Sequence, residues 1–292
     1  MAEALQSVLL PEVAKGRACL NCGETLAGKF CSQCGQKDAE PHPTLWQLVS
    51  ELVGEFVSVD SRHLRTLRLL LFRPGQLTRD YLAGRRIRFL SPLKAYLLAS
   101  VLLFGLLALL PRAHVSVVTG MPLNAAPAPA KHGTEVSFSL PERYPVFDRQ
   151  LQAAAARAKA NPQAFAEAVR ANVPRVFFLL LPAFALFLRL FYRGGWRYLD
   201  HLVFALHYHA FVFLDLTALA VLRRPWIPSA VAWVLGPVCV LGLLAYLPIA
   251  LRLVYGGSRG RTLLKLLGLG ALYFLVFVAG LALMVFATLW LF

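Results

Sequence analysis

Four cysteines carry the most specific chemistry in the chain. Residues 19–35 read CLNCGETLAGKFCSQCG, so Cys19 and Cys22 form one C-x2-C pair and Cys31 and Cys34 a second. Each pair turns two sulfurs toward one ion, and four thiolates close a tetrahedral Zn²⁺ shell. Gly23 and Gly35 follow the pairs, and a glycine there allows the tight turn that aims backbone amides at the sulfurs. A redox dithiol and iron are the alternatives, and the spacing favours zinc. A shell of four sulfurs leaves no position for water or substrate, so the metal is expected to be structural. The loop from Glu24 to Phe30 then becomes a docking surface for a cytoplasmic protein partner or for the rest of the chain. Nucleic acid is disfavoured, because Lys29 is the only cation in residues 19–35.

A second group lies far downstream, in the apolar run at 200–222. It contains Asp200, His201, His207, Tyr208, His209 and Asp215. At about 100° per helical residue, Asp200, His201, His207, Tyr208 and Asp215 share an arc of ~120°, and only His209 stands apart. Ionisable groups inside a membrane are costly, face a bundle interior and mark candidate sites. Three readings stay open for the stripe. Its histidines could remain neutral and hydrogen-bond between helices. They could pass protons with the aspartates as a transport path, with Lys94, Tyr96 and Tyr246 as the further polar groups nearby. They could also bind a metal or haem, although histidine clusters that do so draw on several segments and this is the only apolar run with histidines. Cys239 reads as a small apolar residue.

The elements that must hold these groups follow from composition. Of 292 residues, 58% are hydrophobic and 15% charged, against about 25% charged in a soluble domain. The mean hydropathy is +0.60. That excludes an ordinary soluble domain and leaves a polytopic membrane protein. Crossing a hydrocarbon core of ~30 Å takes ~20 helical residues. Five runs qualify, at 92–110, 174–191, 200–222, 230–251 and 266–291, the second with Pro182 inside it. The first begins beyond residue 90, so no cleavable leader is expected. Lys and Arg near the span ends set orientation. They crowd before the first span (Arg62 to Lys94), after the second (Arg189, Arg193, Arg197) and after the fourth (Arg252, Arg259, Arg261, Lys265). The N-terminus is therefore predicted inside, where thiols stay reduced, and the C-terminus outside. The net charge of +15 belongs to these membrane-flanking cations.

Between ribbon and first span, residues 41–91 read as interfacial amphipathic helices. Thr44-x-x-Gln47 has the form of a capping box ahead of Leu45, Leu48, Val49, Leu52, Val53 and Phe56. A second helix starts near Asp60 or Ser61, with Arg62, Arg65 and Arg68 on one side and Leu64, Leu67, Leu70 and Leu71 on the other. Pro74-Gly75 ends it, and 76–83 forms a third helix closed by Gly84. Such helices are expected to lie in the cytoplasmic leaflet. Arg85, Arg86 and Arg88 would meet anionic lipid headgroups there, at ~1 kcal/mol per cation, or serve as plain positive-inside anchors. The order C-x2-C-G…F-C-x2-C-G-Q, then RTLRLLLFRPGQLTRDYLAGRR, then FLSPLKAYL, with DHLVFALHYHAF at 200–211, resembles a bacterial domain-of-unknown-function family. Its members are polytopic membrane proteins with an N-terminal zinc ribbon. The resemblance extends over most of the chain except 112–172. It implies a multi-pass protein of the bacterial inner membrane and brings no activity and no catalytic residues.

In the long loop at 111–173, expected on the periplasmic side, residues 112–135 show no pattern. Residues 146–171 read as a helical hairpin split at Asn161-Pro162, with Asn161 as N-cap. The loop Gly256-Gly-Ser-Arg-Gly-Arg-Thr262 lacks the spacing and lysine of a phosphate-binding loop. The expected fold is thus an all-α membrane protein: ribbon at 1–40, interfacial helices at 41–91 and a five-helix transmembrane domain at 92–292. The leading functional expectation is a non-enzymatic scaffold or regulator whose ribbon docks a partner or the bundle. The runner-up is a small transporter or proton-coupled channel using the stripe.

Overall fold

The computed structural model describes residues 17–38, 44–46, 61–109 and 145–291. The expected helix beginning at Leu45 lies almost wholly outside these. Eight helices follow the ribbon among the described residues: α1 (Ser61–Phe72), α2 (Gln76–Leu82), α3 (Pro92–Leu109), α4 (Pro145–Ala160), α5 (Pro162–Phe191), α6 (Tyr198–Leu222), α7 (Ser229–Tyr255) and α8 (Arg259–Leu291). Five of them, α3 and α5 to α8, are long and apolar enough to cross a membrane. They coincide with the five runs read from sequence.

The bundle is organised around α6, which packs against α3, α5 and α7 and is also touched by α1 and α2. In its apolar stretch 61% of residues are buried, against 11% in α8. That difference decides which helix is the core and which face lipid. Phe204, Phe211 and Phe213 of α6 pack with Tyr96 and Leu103 of α3, Phe184 and Leu188 of α5, and Tyr246 and Leu251 of α7. Aromatic edges interlock here, with Phe213 meeting Phe104 and Phe177 ring edge to face, each 5.5 Å between centroids.

Two elements depart from expectation. The Asn161-Pro162 break is where the sequence places it, and the Asn161 Oδ1 accepts the Ala164 amide at 3.2 Å. The arm beyond it, however, is no separate hairpin arm. It runs on through Pro174 and Pro182 as one 30-residue helix into the second span. The Tyr198 hydroxyl of α6 donates to the Pro182 carbonyl at 3.2 Å and so ties the two helices together. At ~1.5 Å per residue, α5 and α8 both exceed the ~30 Å hydrocarbon core. Both helices pack with α4, and Asn172 of α5 donates to Thr288 of α8 at 3.0 Å.

The second departure concerns α1 and α2. Part of their apolar surface turns toward protein, while Leu64 and Phe72 of α1 stay exposed. Leu70 and Leu77 join the main core, and Tyr81 and Leu82 pack with Val203 of α6. Gly75, at φ +80°, lies so close to α7 that a Cβ there would stand 2.9 Å from the Ala250 Cα. Only glycine allows both that conformation and that approach. Thr66 of α1 fastens the chain before α3, since its hydroxyl donates to the Arg62 carbonyl at 2.8 Å and accepts the Leu90 amide at 2.9 Å.

Candidate metal centre

The two cysteine pairs form matching turns. Gly23 N–H donates to the Cys19 carbonyl at 2.8 Å, and Gly35 N–H to the Cys31 carbonyl at 2.9 Å. Cys19 N–H returns to the Glu24 carbonyl at 2.7 Å, and Cys31 N–H to the Gln36 carbonyl at 2.9 Å. Gly23 and Gly35 have φ of 83° and 72°, the left-handed backbone that makes each turn possible. Short antiparallel bridges, Ala18 with Thr25 and Phe30 with Lys37, flank the turns.

The four sulfurs lie within 4.8 Å of one another, with Cys19–Cys34 at 3.6 Å and Cys22–Cys31 at 3.5 Å. A tetrahedron of sulfurs ~2.3 Å from an ion has edges of roughly 3.8 Å, so the set fits one four-thiolate metal. Among the described residues no other group of three or more His, Cys, Asp or Glu side chains converges in this way. The thiols hold their protons unequally. Burial raises Cys34, but hydrogen bonds from Asn21, the Gln36 amide, Cys22 and Cys19 outweigh it and draw the group down to about 6. For Cys22 the backbone at Glu24 pulls down, while burial and its cysteine neighbours push the thiol up to about 12.

The ribbon sits on the segment between α2 and α3. Gln36, directly after the last turn, is buried and spends its whole amide on that segment. Its Nε2 donates to the Gly84 carbonyl at 2.8 Å, and its Oε1 accepts the amides of Arg86 at 3.1 Å and Ile87 at 3.3 Å. Leu20 closes the contact over Gly84, where a Cβ would stand 2.5 Å from the leucine Cδ1. The Glu24–Phe30 loop expected to dock does not make this contact, and Phe30 remains 62% exposed. The contact runs instead through Leu20 and Gln36. Gln36 was present in the C-G-Q pattern, but no spacing ties it to Gly84.

From this seat α2 reaches the stripe. Thr78 Oγ1 and His207 Nδ1 are hydrogen-bonded at 2.9 Å, both side chains buried, with the Tyr81 ring edge-on to the imidazole. The remaining stripe residues take separate partners. Asp200 Oδ2 accepts the Arg197 amide at 2.8 Å and so caps its own helix. His201 Nδ1 pairs with the Tyr255 hydroxyl of α7 at 2.8 Å. Tyr208 stacks on Phe184 of α5, with centroids 5.5 Å apart. Asp215 turns to α7, where its Oδ1 would lie 3.7 Å from a Cβ placed on Gly242. His209, which the helical wheel set apart, is equally engaged: Nδ1 with the Ala205 carbonyl and Nε2 with the Tyr273 hydroxyl of α8, both at 2.8 Å. Tyr96 and Tyr246 meet α6 through ring faces, on Phe213 and Phe211.

The arginines of the connector are partly committed to protein. Arg85 bonds Asp80 at 2.5 Å, Arg86 lies 4.8 Å over the Tyr81 ring, and Arg88 is exposed.

Residues 60–104 are similar to a family described as a protein of unknown function (DUF3667). No curated protein and no solved structure matches the chain. The DUF3667 match is narrower than the resemblance read from sequence. It spans α1, α2, the connector and most of α3, the stretch that receives the ribbon on one side and touches α6 on the other.

Proposed function

We propose that this chain is a non-enzymatic membrane regulator or scaffold, in which a zinc-loaded ribbon fixes the α2–α3 connector and through it the helix bundle. The observation that carries the reading is the three-bond contact of Gln36 with Gly84, Arg86 and Ile87. Zinc would be held by Cys19, Cys22, Cys31 and Cys34 and would supply rigidity, not reactivity. Loss of the metal would free Gln36, and with it the connector that presents Thr78 to His207. The setting is a bacterial inner membrane with the N-terminus and ribbon in the cytoplasm and the C-terminus in the periplasm. The exposed Glu24–Phe30 loop is left for a cytoplasmic protein partner, and Arg88 for anionic headgroups.

The test is amide hydrogen exchange on the whole protein in nanodiscs. Removing the metal, or substituting Cys22→Ser with Cys34→Ser, should raise exchange at Arg86 and Ile87 while the middle of α6 stays protected. Gln36→Ala should raise the same amides with the metal still bound. Unchanged exchange at 86–87 after verified metal loss would sink the reading.

A second reading, a proton-coupled transporter, rests on two specific atoms. His207 Nε2 and Asp215 Oδ2 are buried with no hydrogen-bond partner among the described residues, as proton-carrying groups awaiting water would be. The divergent partners of the stripe favour the regulator, and a flux assay separates the two.

A further inference from the structure

Where α5 ends, the chain turns back and leaves a crevice of about 610 Å³ lined by Leu186, Phe187, Arg189, Leu190, Arg193 and Trp196. Its wall is apolar, with Leu186 and Leu190 about half exposed, on a helix long and apolar enough to span. Its lining includes two arginines four residues apart, both exposed. Neither Arg189 nor Arg193 has an ion-pair partner among the described residues, unlike Arg85 with Asp80. Arg189 stands in the last turn of α5, and Trp196 adds to the lining an aromatic of the kind enriched at membrane interfaces.

Two exposed cations beside an exposed apolar wall at a span's end match one kind of molecule. We infer that this crevice is a binding site for an anionic phospholipid, its phosphate held by Arg189 and Arg193 and one acyl chain laid along Leu186, Phe187 and Leu190. The charge complementarity selects acidic over zwitterionic headgroups, because two cations face the phosphate with no carboxylate beside them in the lining. The guanidinium fork suits a phosphate oxygen pair. The inference does not depend on the ribbon reading, since the crevice shares no residue with the ribbon or its seat.

The experiment is native mass spectrometry of the full chain released from detergent, titrated with phosphatidylglycerol or phosphatidylcholine of matched acyl chains. Wild type should retain one phosphatidylglycerol in preference to phosphatidylcholine. Arg189→Gln with Arg193→Gln should weaken that retention by roughly tenfold or more, while Arg189→Lys with Arg193→Lys keeps most of it. Arg259→Gln with Arg261→Gln, both exposed and a control for general surface charge, should leave the tightly retained lipid in place. Thermal melting verifies that each variant is folded, as expected for exposed side chains. Equal retention of the two lipids, retention undiminished in the folded double-glutamine variant, or displacement of the lipid by millimolar inorganic phosphate would each overturn the inference. The last outcome would mark a simple anion site in place of a lipid site.

Discussion

Gln36 shows how much one side chain decides in this molecule. It has one amide oxygen and one amide nitrogen, and both are used on a segment 48 and more residues away. Truncating it leaves the Gly84 carbonyl and the Arg86 and Ile87 amides to find other partners, at about 1–3 kcal/mol for buried groups left unpaired. Gln36→Ala is therefore expected to retain one metal per chain and to lose roughly that much thermal stability, read by melting beside metal analysis. The cysteines behave in the opposite way. Cys22→Ser with Cys34→Ser should abolish metal, because two thiolates cannot close the shell, while the spans still insert. Wild-type protein purified reduced and without chelator, yet carrying no metal, would end the ribbon reading.

At the scale of elements, glycines record which helices touch. Gly75 and Gly84 both have φ near +80° and both are pressed against a neighbour, Ala250 and Leu20 respectively. Gly75→Ala should cost about 1–3 kcal/mol, from the left-handed conformation and from a contact with α7 backbone that cannot yield. Gly194→Ala, with open space around it and no positive φ, should be close to neutral. Equal stability of the two variants would show that α2 is not pressed against α7. The elements themselves were largely legible. Run length and apolar content mark all five spanning helices to within a few residues, apart from the starts of α5 and α8, where charged and polar turns extend the helix past the apolar stretch. The cysteine spacing marks the metal centre. The seat of the ribbon was not legible, since Gln36 to Gly84 and Thr78 to His207 are single contacts across unrelated stretches, with no periodicity to betray them. Amphipathicity could say that α1 and α2 bury one face. It could not say which of their residues, Leu70, Leu77, Tyr81 and Leu82 among them, protein would cover.

For the whole molecule the open question is whether α6 is a core or a conduit. Orientation comes first. Gln150→Cys should label from the periplasmic side of intact cells, and Gly194→Cys only after the membrane is breached, each compared with the parent chain and its five cysteines. The reverse pattern would overturn the positive-inside assignment. The conduit question then rests on His207 and Asp215. Both are buried, and each has one atom without a partner among the described residues, yet they address different helices, α2 and α7. A relay needs them to exchange protons along one path. A core needs only that each fills its own place. Asp215→Asn keeps the volume and removes the ionisable carboxyl, and His207→Ala removes the ring. In a core, both should lower stability modestly, near the ~0.6 kcal/mol typical of hydrogen bonds between membrane helices, and His207→Ala more because it also leaves Thr78 unpaired. Stability alone therefore cannot separate the cases. Proton or solute flux in proteoliposomes does, with an imposed potential and pH varied through the range where histidine titrates. The regulator reading expects no flux in wild type. A pH-dependent wild-type flux that Asp215→Asn abolishes, at unchanged folded yield, would make α6 a conduit and the ribbon its accessory.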